Sequence, residues 1–105
     1  MKTFSERVVE VAMAIPKGRV TTYGRIAQAA GAGGMASQSI TGILAKAHME
    51  QGLEIPFHRI VYANGKIWVD DTYYEKRMKL YKKEGIEVTK NNIIKNFSEL
   101  LFEFN

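Results

Sequence analysis

The chain has 105 residues, enough for one domain with a modest core, and 46% of them are hydrophobic while 25% are charged. No run of about 18 apolar residues is present, which argues against a membrane span, and the absence of cysteine excludes disulfides and thiolate metal sites. The net charge of +4 favours an anionic partner such as nucleic acid. The charged N-terminus lacks the apolar run of a secretory signal, so we expect a cytoplasmic protein.

Helical spacing of apolar side chains predicts two helices in the first third of the chain. The first runs from about residue 4 to 15 and ends at the turn Pro16–Arg19. Thr22 is the expected N-cap of the second helix, which runs to Ala30 and closes at Gly31.

A third helix follows a glycine-containing link. Ser37 or Ser39 is its expected cap, and Ile40, Ile43 and Leu44 form its inward face. Two short helices joined by such a link are the layout of a helix-turn-helix.

The second half of the chain contains β-rich segments as well as helices. The β-rich runs 60–62 and 67–69 flank Asn64-Gly65, which predicts a β-hairpin. Asp71 or Thr72 then opens a charged helix through Lys83, and a last helix is expected over residues 93–102. We therefore predict a mainly α fold for residues 1–105 as a single domain: a winged helix-turn-helix-like DNA-binding domain whose wing is the small hairpin.

Three blocks of sequence carry a family resemblance. They are Ile-Pro-Lys-Gly-Arg-Val-Thr-Thr-Tyr-Gly-Arg-Ile-Ala over residues 15–27, Ile-Pro-Phe-His-Arg-Ile-Val over 55–61, and Lys-Glu-Gly-Ile over 83–86. Their order and spacing resemble those of the O6-alkylguanine-DNA alkyltransferases. The resemblance covers most of the chain, from about Val8 to Val88, and implies that family's DNA-binding fold.

The resemblance fails at the catalytic residue. The family's signature is Pro-Cys-His-Arg, and its cysteine accepts the alkyl group, whereas this chain has Phe57 there. A phenyl ring has no lone pair to attack an alkyl carbon, so we expect no enzyme and no cofactor. His48 and His58, without cysteine or a ligand spacing, do not indicate a metal site. Alkyltransferase-like proteins share this pattern. The family's relay would correspond to His58 and Glu84, which we expect to persist as a hydrogen-bonded pair, with Arg59 paired to a carboxylate.

The resemblance also implies a pocket for a flipped base. The family's tyrosine, here Tyr23, presses on the phosphate beside the lesion and helps to rotate the base out. Phe57 would form a pocket wall on which a purine stacks, and it can pack in the core on its other side. A tyrosine packed between helices is the alternative for Tyr23, but the block around it favours the DNA role. The residues predicted to line the pocket are Tyr23, Phe57, Ile60, Trp68, Asp70 and Asp71.

The DNA-binding surface implied by the family is the third helix, which enters the minor groove and requires small side chains. The predicted contacts are Thr22, Tyr23, Arg25, Ser37, Gln38, Ser39, Thr41, Gly42 and Lys46, with Lys17 and Arg19 as further phosphate candidates. Each cation singly fits solvated surface charge equally well. Gln38 stands nearest the family's arginine finger, and Asp70-Asp71 replace the basic residue that some relatives present to the lesion.

Two functions remain open at this point. One is a non-enzymatic, monomeric binder of O6-alkylguanine in duplex DNA, which signals to nucleotide-excision-repair proteins. The other is a damage-independent winged-helix DNA binder with a regulatory or architectural role. Tyr23 in an intact motif favours the first function, whereas Gln38 and the two aspartates favour the second.

Overall fold

The structure is a computed structural model that describes residues 2–31 and 37–104. Its helices are α1 (Phe4–Met13), α2 (Tyr23–Ala29), α3 (Ser37–Gln51), α4 (Tyr74–Lys83) and α5 (Phe97–Leu100). Its strands are β1 (Thr21–Thr22) and β2 (Ile60–Val61), and a short 3₁₀ helix, Phe57–Arg59, directly precedes β2. The predicted mainly α fold is confirmed. Within the described ranges no helix is both long and apolar enough to cross a membrane.

Local capping explains where the first two helices begin. Thr3 and Glu6 form a reciprocal capping box at the start of α1, with the Glu6 N–H donating to the Thr3 hydroxyl at 3.1 Å. The Thr22 hydroxyl accepts from the Arg25 N–H at 3.2 Å, so the predicted cap of α2 is confirmed. Gly31, at φ +96°, ends that helix in a conformation that favours glycine.

The first three helices enclose one apolar cluster. It consists of Val8, Ala12, Ile15, Ile26, Ala27, Ala30, Ile40, Leu44, Ile55 and Ile60. Apolar positions three and four residues apart put one stripe of each helix into this cluster and leave the other face of α3 exposed. The helix-turn-helix pair α2 and α3 is therefore held from behind by α1.

The two strands pair in parallel and separate this cluster from a second one. Thr21 lies opposite Ile60, and Thr22 lies opposite Val61. Because successive strand residues point to opposite faces, Ile60 packs with the helices while Val61 packs on the other side. The second cluster consists of Val20, Val61, Ile67, Tyr81, Ile86 and Ile94.

The C-terminal segment adds a further parallel contact at β1. The Val20 N–H donates to the Leu100 carbonyl at 3.0 Å, and the Phe102 N–H donates to the Val20 carbonyl at 2.7 Å. Phe104 then packs against the helical cluster. The segment thus covers the side of β1 that β2 leaves open.

The predicted hairpin is the main correction to the fold. Its turn forms, with the Tyr62 N–H donating to the Lys66 carbonyl at 2.9 Å, but the flanking runs do not pair with each other. Val61 belongs to the parallel pair, and the Ile67 N–H donates to the Asn92 carbonyl at 2.8 Å. Both side chains are buried, and pairing with two different segments buries both in the second cluster.

Gly65 is required in this turn for two reasons. Its φ is +84°, and a Cβ placed on it would lie 2.9 Å from Cγ of Phe97. The Asn-Gly signal was therefore a correct prediction of a turn, even though the strands around it have other partners.

Two helix boundaries also differ from prediction. α4 begins at Tyr74 because residues 71–73 form a turn, in which the Tyr73 N–H donates to the Asp70 carbonyl at 3.1 Å. The last helix is shorter than residues 93–102, because residues 93 and 94 form isolated antiparallel bridges with Lys66 and Val88. Backbone pairing at these ends competes with the helix.

Candidate nucleic-acid interface

The Glu84 carboxylate joins the C-terminal end of α4 to the 3₁₀ helix and to the turn after α1. Its Oε2 lies 2.5 Å from Nε2 of His58 and accepts from the Arg59 guanidinium at 2.9 Å. Its Oε1 accepts from the Gly18 N–H at 3.0 Å. Arg59 also donates to the Ile15 carbonyl at 2.9 Å. The expected His58–Glu84 pair is confirmed, and Glu84 is also the carboxylate partner predicted for Arg59.

Burial and charge set the protonation of this network. Burial raises the pKa of Glu84, but the Arg59, Gly18 and His58 hydrogen bonds outweigh it and lower that pKa from 4.5 to about 2. Burial also lowers the pKa of His58 from its usual 6.5, against the opposing effect of Glu84. The network at neutral pH is therefore a carboxylate, a neutral imidazole that donates through Nε2, and a guanidinium.

The free energy of unfolding is expected to fall as the solution is acidified, in two stages. Both folded-state pKa values lie below their unfolded values, so the unfolded chain binds protons first and stability is lost as pH falls. The His58 stage begins near pH 6.5, and the Glu84 stage runs from about pH 4.5 to 2.

Urea unfolding of the native chain and of His58→Gln at a series of pH values measures how the free energy of unfolding depends on pH. The stability advantage of the native chain over His58→Gln should shrink as pH falls below 6.5. A constant difference across that range would contradict the assignment of a lowered His58 pKa.

Phe57 lies at the start of the 3₁₀ helix, where the family has its acceptor cysteine. Its ring is half-buried against the helical cluster and meets His48 edge-on, with ring centroids 6.1 Å apart. His48 itself is held by the Leu53 carbonyl, 2.7 Å from Nδ1. Phe57 thus has a packed side and an accessible side, as both interpretations of this residue require. His48 and His58 have separate partners.

Tyr23 lies at the junction of the helix-turn-helix pair. It is the first residue of α2, and it lies near Thr41, an exposed residue of α3. Its ring centroid lies 5.9 Å from that of Tyr62, in the turn after β2. Burial, followed by the neighbouring Tyr62, raises the pKa of the Tyr23 phenol, which keeps it neutral and able to donate. Tyr62 was not predicted as a site residue.

The remaining predicted pocket residues divide between core and surface. Ile60 is 2% exposed and belongs to the helical cluster, whereas Trp68 is 43% exposed. Asp71 is exposed, and the half-buried Asp70 uses Oδ1 to accept from the Thr72 N–H at 2.7 Å. Asp70 therefore caps the turn before α4, which is a local structural role for its charge.

Arg77 contacts the predicted pocket residue Trp68, a contact that the sequence pattern did not indicate. Its guanidinium carbon lies 4.7 Å from the centre of the Trp68 ring, and Nη1 donates to the Trp68 carbonyl at 3.0 Å. Its charge also acts on the ionisation of Tyr23 and His58. A cation on α4 thus lies beside the predicted pocket, where Asp70-Asp71 suggested only negative charge.

The exposed face of α3 has the small side chains that were predicted for it. Ser39, Thr41, Gly42 and Lys46 are all exposed, and a Cβ placed on Gly42 would meet no atom within 4 Å. The side chains of Ser37 and Gln38 lie outside the described residues, so the predicted role of Gln38 stays a prediction. Ile40 and Leu44 hold the opposite face in the core.

The predicted phosphate contacts around α2 have intramolecular partners. Arg19 donates to the Leu100 and Leu101 carbonyls at 3.0 and 3.2 Å and so anchors the C-terminal segment. Arg25 forms an ion pair with Glu103 at 3.3 Å, and because the Arg25 side chain is half-buried and that of Glu103 is exposed, the pair contributes little to stability. Lys17 is exposed in the turn after α1.

The sequence motifs, the fold and the hydrogen bonds of Glu84 all indicate the same family. The profile of the 6-O-methylguanine DNA methyltransferase DNA-binding domain matches residues 3–86. The chain belongs to this family. Phe57 stands where the acceptor cysteine is needed, so this is an alkyltransferase-like member that cannot perform the family's transfer to cysteine.

Relatives and solved structures are similar over most of the chain. A "DNA base-flipping protein" of Escherichia coli (strain K12) is 33% identical over 87 residues, which are 83% of this chain and 65% of that relative, so the match spans under two thirds of its length. A protein of the same name from Vibrio parahaemolyticus is 33% identical over 89 residues, which are 85% of this chain and 86% of that protein.

Two crystal structures of S. pombe proteins share the fold. One is Atl1 in complex with damaged DNA containing O6-carboxymethylguanine, with a TM-score of 0.74, 25% identity, and coverage of 99% of this chain and 100% of that chain. The other, an alkyltransferase-like protein in complex with DNA, has a TM-score of 0.75, 24% identity and the same coverage. The alkyltransferase-like fold therefore extends through the C-terminal segment beyond residue 86, where the family match ends.

Proposed function

We propose that this alkyltransferase-like chain binds damaged duplex DNA, rotates an O6-alkylguanine out of the helix, and holds it between Tyr23 and Phe57 without converting it. The names of the base-flipping relatives and the lesion-bound Atl1 complex support this mode of binding. The observation that carries the proposal is the position of Tyr23, which begins α2, lies near the exposed Thr41 of α3 and has its ring 5.9 Å from that of Tyr62.

The free energies of base extrusion and stacking are compatible with a protein that holds the extruded base without converting it. Extruding a base costs a few kcal/mol, and least for a damaged one, while stacking on an aromatic ring returns about 1–3 kcal/mol. The accessible side of Phe57 offers such a ring where the catalytic relatives have sulfur. The underlying Glu84 network keeps the 3₁₀ helix in place, so the ring is presented by a rigid support.

Arg77 supports alkylguanine as the lesion class. A guanidinium can donate to the O6 atom or to an acidic alkyl substituent, and stacking on Trp68 limits its motion. The Asp70 carboxylate is occupied by the Thr72 N–H, which moderates the charge conflict that the sequence suggested.

A bound lesion that is not repaired must be handed to another process. Because no thiol is present to accept the alkyl group, we include in the proposal that the complex marks the site for nucleotide-excision-repair proteins.

The proposal is tested by titrating duplexes that differ only in one O6-methylguanine, each with a fluorescent base analogue beside that position. We expect the damaged duplex to bind at least about tenfold more tightly, which corresponds to about 1.4 kcal/mol, and to show unstacking of its reporter. Both titrations are run at one stated salt concentration, since phosphate contacts make affinity salt-dependent.

The titration also separates the alternative function. If both duplexes bound with equal affinity and the reporter stayed stacked, the chain would be a damage-independent DNA binder and not a lesion-recognition protein. Absence of binding to either duplex would refute both functions.

A further inference from the structure

Helix α4 holds the positive charge of the chain. Its ten residues, Tyr74–Lys83, include five basic side chains and one acidic side chain, which is a net charge of +4. The whole chain also has a net charge of +4, so the remaining residues are neutral in sum. The predicted recognition helix α3 contains only Lys46 as a formal cation and balances it with Glu50. Long-range attraction to a polyanion therefore originates at α4.

Three of these cations form a stripe on one face. Lys76, Lys79 and Lys83 are spaced three and four residues apart, so they align along the helix, opposite the buried Tyr81. All three are exposed. We refer to these three side chains as the lysine stripe.

The lysine stripe lacks carboxylate partners in the described part of the chain. Lys2, Arg25 and Lys95 are each paired with a glutamate, and Arg59 with Glu84, whereas among the described residues other exposed lysines such as Lys17 and Lys90 share with the stripe the lack of an ion pair. No ion pair joins the stripe to any described carboxylate. Its charge is therefore uncompensated and available to an external anion.

The lysine stripe begins beside the candidate pocket. Lys76 is adjacent to Arg77, whose guanidinium stacks on Trp68. From Lys76 to Lys83 the helix rises by about 10 Å, along which duplex DNA presents about six phosphate charges. The stripe thus leads from the pocket edge outward over a length comparable to several nucleotides.

The composition of this face favours phosphate over protein. Protein interfaces are depleted in lysine and need an apolar centre, whereas the stripe consists of lysines alone. Lysine binds phosphate as a point charge and needs no fixed geometry. Duplex DNA is the polyanion that the proposed function already supplies.

We propose that the lysine stripe is a second DNA-binding surface, which contacts backbone phosphates flanking the extruded nucleotide. It supplies sequence-independent and damage-independent affinity, while Tyr23 and α3 supply recognition. This inference rests on the proposed function only in requiring that the chain binds DNA.

The test is the salt dependence of binding for the triple variant Lys76→Gln/Lys79→Gln/Lys83→Gln. Glutamine removes charge and retains helix propensity. The slope of log K against log salt should decrease in magnitude by about 2–3 units, at about 0.9 per lost phosphate contact, and equally for damaged and undamaged duplexes. The single variant Lys79→Gln should lose about one unit and serves if the triple variant does not fold.

A matched control distinguishes the effect of the lysine stripe from the effect of lowering the total charge. Lys2→Gln/Lys90→Gln/Lys95→Gln removes the same charge from other exposed positions and should change the slope by less than about one unit. An unchanged slope in the stripe variants, or an equal loss in the control, would overturn the inference. Equal binding of both duplexes with the expected slope loss would refute lesion recognition and leave the stripe supported.

Discussion

Glu84→Ala is expected to lower the free energy of unfolding by about 3–5 kcal/mol, the cost of breaking a buried ion pair by removing one partner. The substitution leaves the Arg59 guanidinium, the His58 ring and the Gly18 N–H without their shared acceptor. His58 and Arg59 lie in the 3₁₀ helix and Gly18 in the turn after α1, so the effect extends beyond the end of α4. For a domain of this size the loss amounts to more than about 12 °C in Tm.

Glu87→Ala is the matched control for this result. Glu87 pairs with Lys95 at 3.1 Å, but its side chain is 72% exposed, so its removal should change stability by less than about 1 kcal/mol. Urea and thermal unfolding of both variants measure the difference. Similar small losses in the two variants would show that the Glu84 network does not stabilise the fold.

Tyr23→Ala is expected to reduce affinity for O6-methylguanine DNA by about 100-fold. A hydrogen bond from the hydroxyl to a charged phosphate is worth about 1.5–3 kcal/mol, and truncation also removes the ring that acts on the backbone. Tyr23→Phe retains the ring against Tyr62 and removes only the hydroxyl. We expect it to lose about tenfold in affinity.

Tyr73→Phe is the control for the hydroxyl, because Tyr73 precedes α4 and is 51% exposed. Its affinity should match that of the native chain. Unfolding curves establish that each variant is folded at the titration temperature, since Tyr23 also packs against the helical cluster. If both Tyr23→Phe and Tyr23→Ala bound DNA with native affinity, Tyr23 would not contact the DNA.

The loss of the nucleophile leaves the relay with a structural purpose. In a catalytic site, His58 and Glu84 would handle the proton of a thiol, but a phenyl ring has no proton to exchange. The pair nevertheless retains a 2.5 Å contact because Glu84 also binds Arg59 and Gly18. The same groups that would activate a cysteine therefore hold the loops that present Phe57.

Elements governed by local interactions were predicted well. Thr22 was identified as a cap because a hydroxyl at that position satisfies a free N–H of the first turn. The hairpin was mispredicted because Asn-Gly specifies a turn and not the partners of its flanking strands. Partner choice depends on burying Val61 and Ile67 in the second cluster, which includes residues distant in sequence.

The candidate site residues also divide into those that local sequence motifs indicate and those that depend on contacts across the fold. Tyr23 and the His58–Glu84 pair could be anticipated because they lie in motifs shared with the family. Arg77 and Tyr62 could not, because their relevance arises from contacts with Trp68 and Tyr23 across the fold. Arg19 was predicted to meet phosphate, but its guanidinium binds two carbonyls of the C-terminal segment, about 80 residues away along the chain.

The sequence by itself determined the family, the first three helices and the loss of the transfer reaction, since these depend on residue identity and short-range spacing. Phe57 excludes a cysteine nucleophile in any conformation. Only the tertiary structure decided the partners of β2, the shared acceptor Glu84 and the cation beside Trp68. Those features depend on burial and charge pairing between distant segments, which spacing along the chain does not encode.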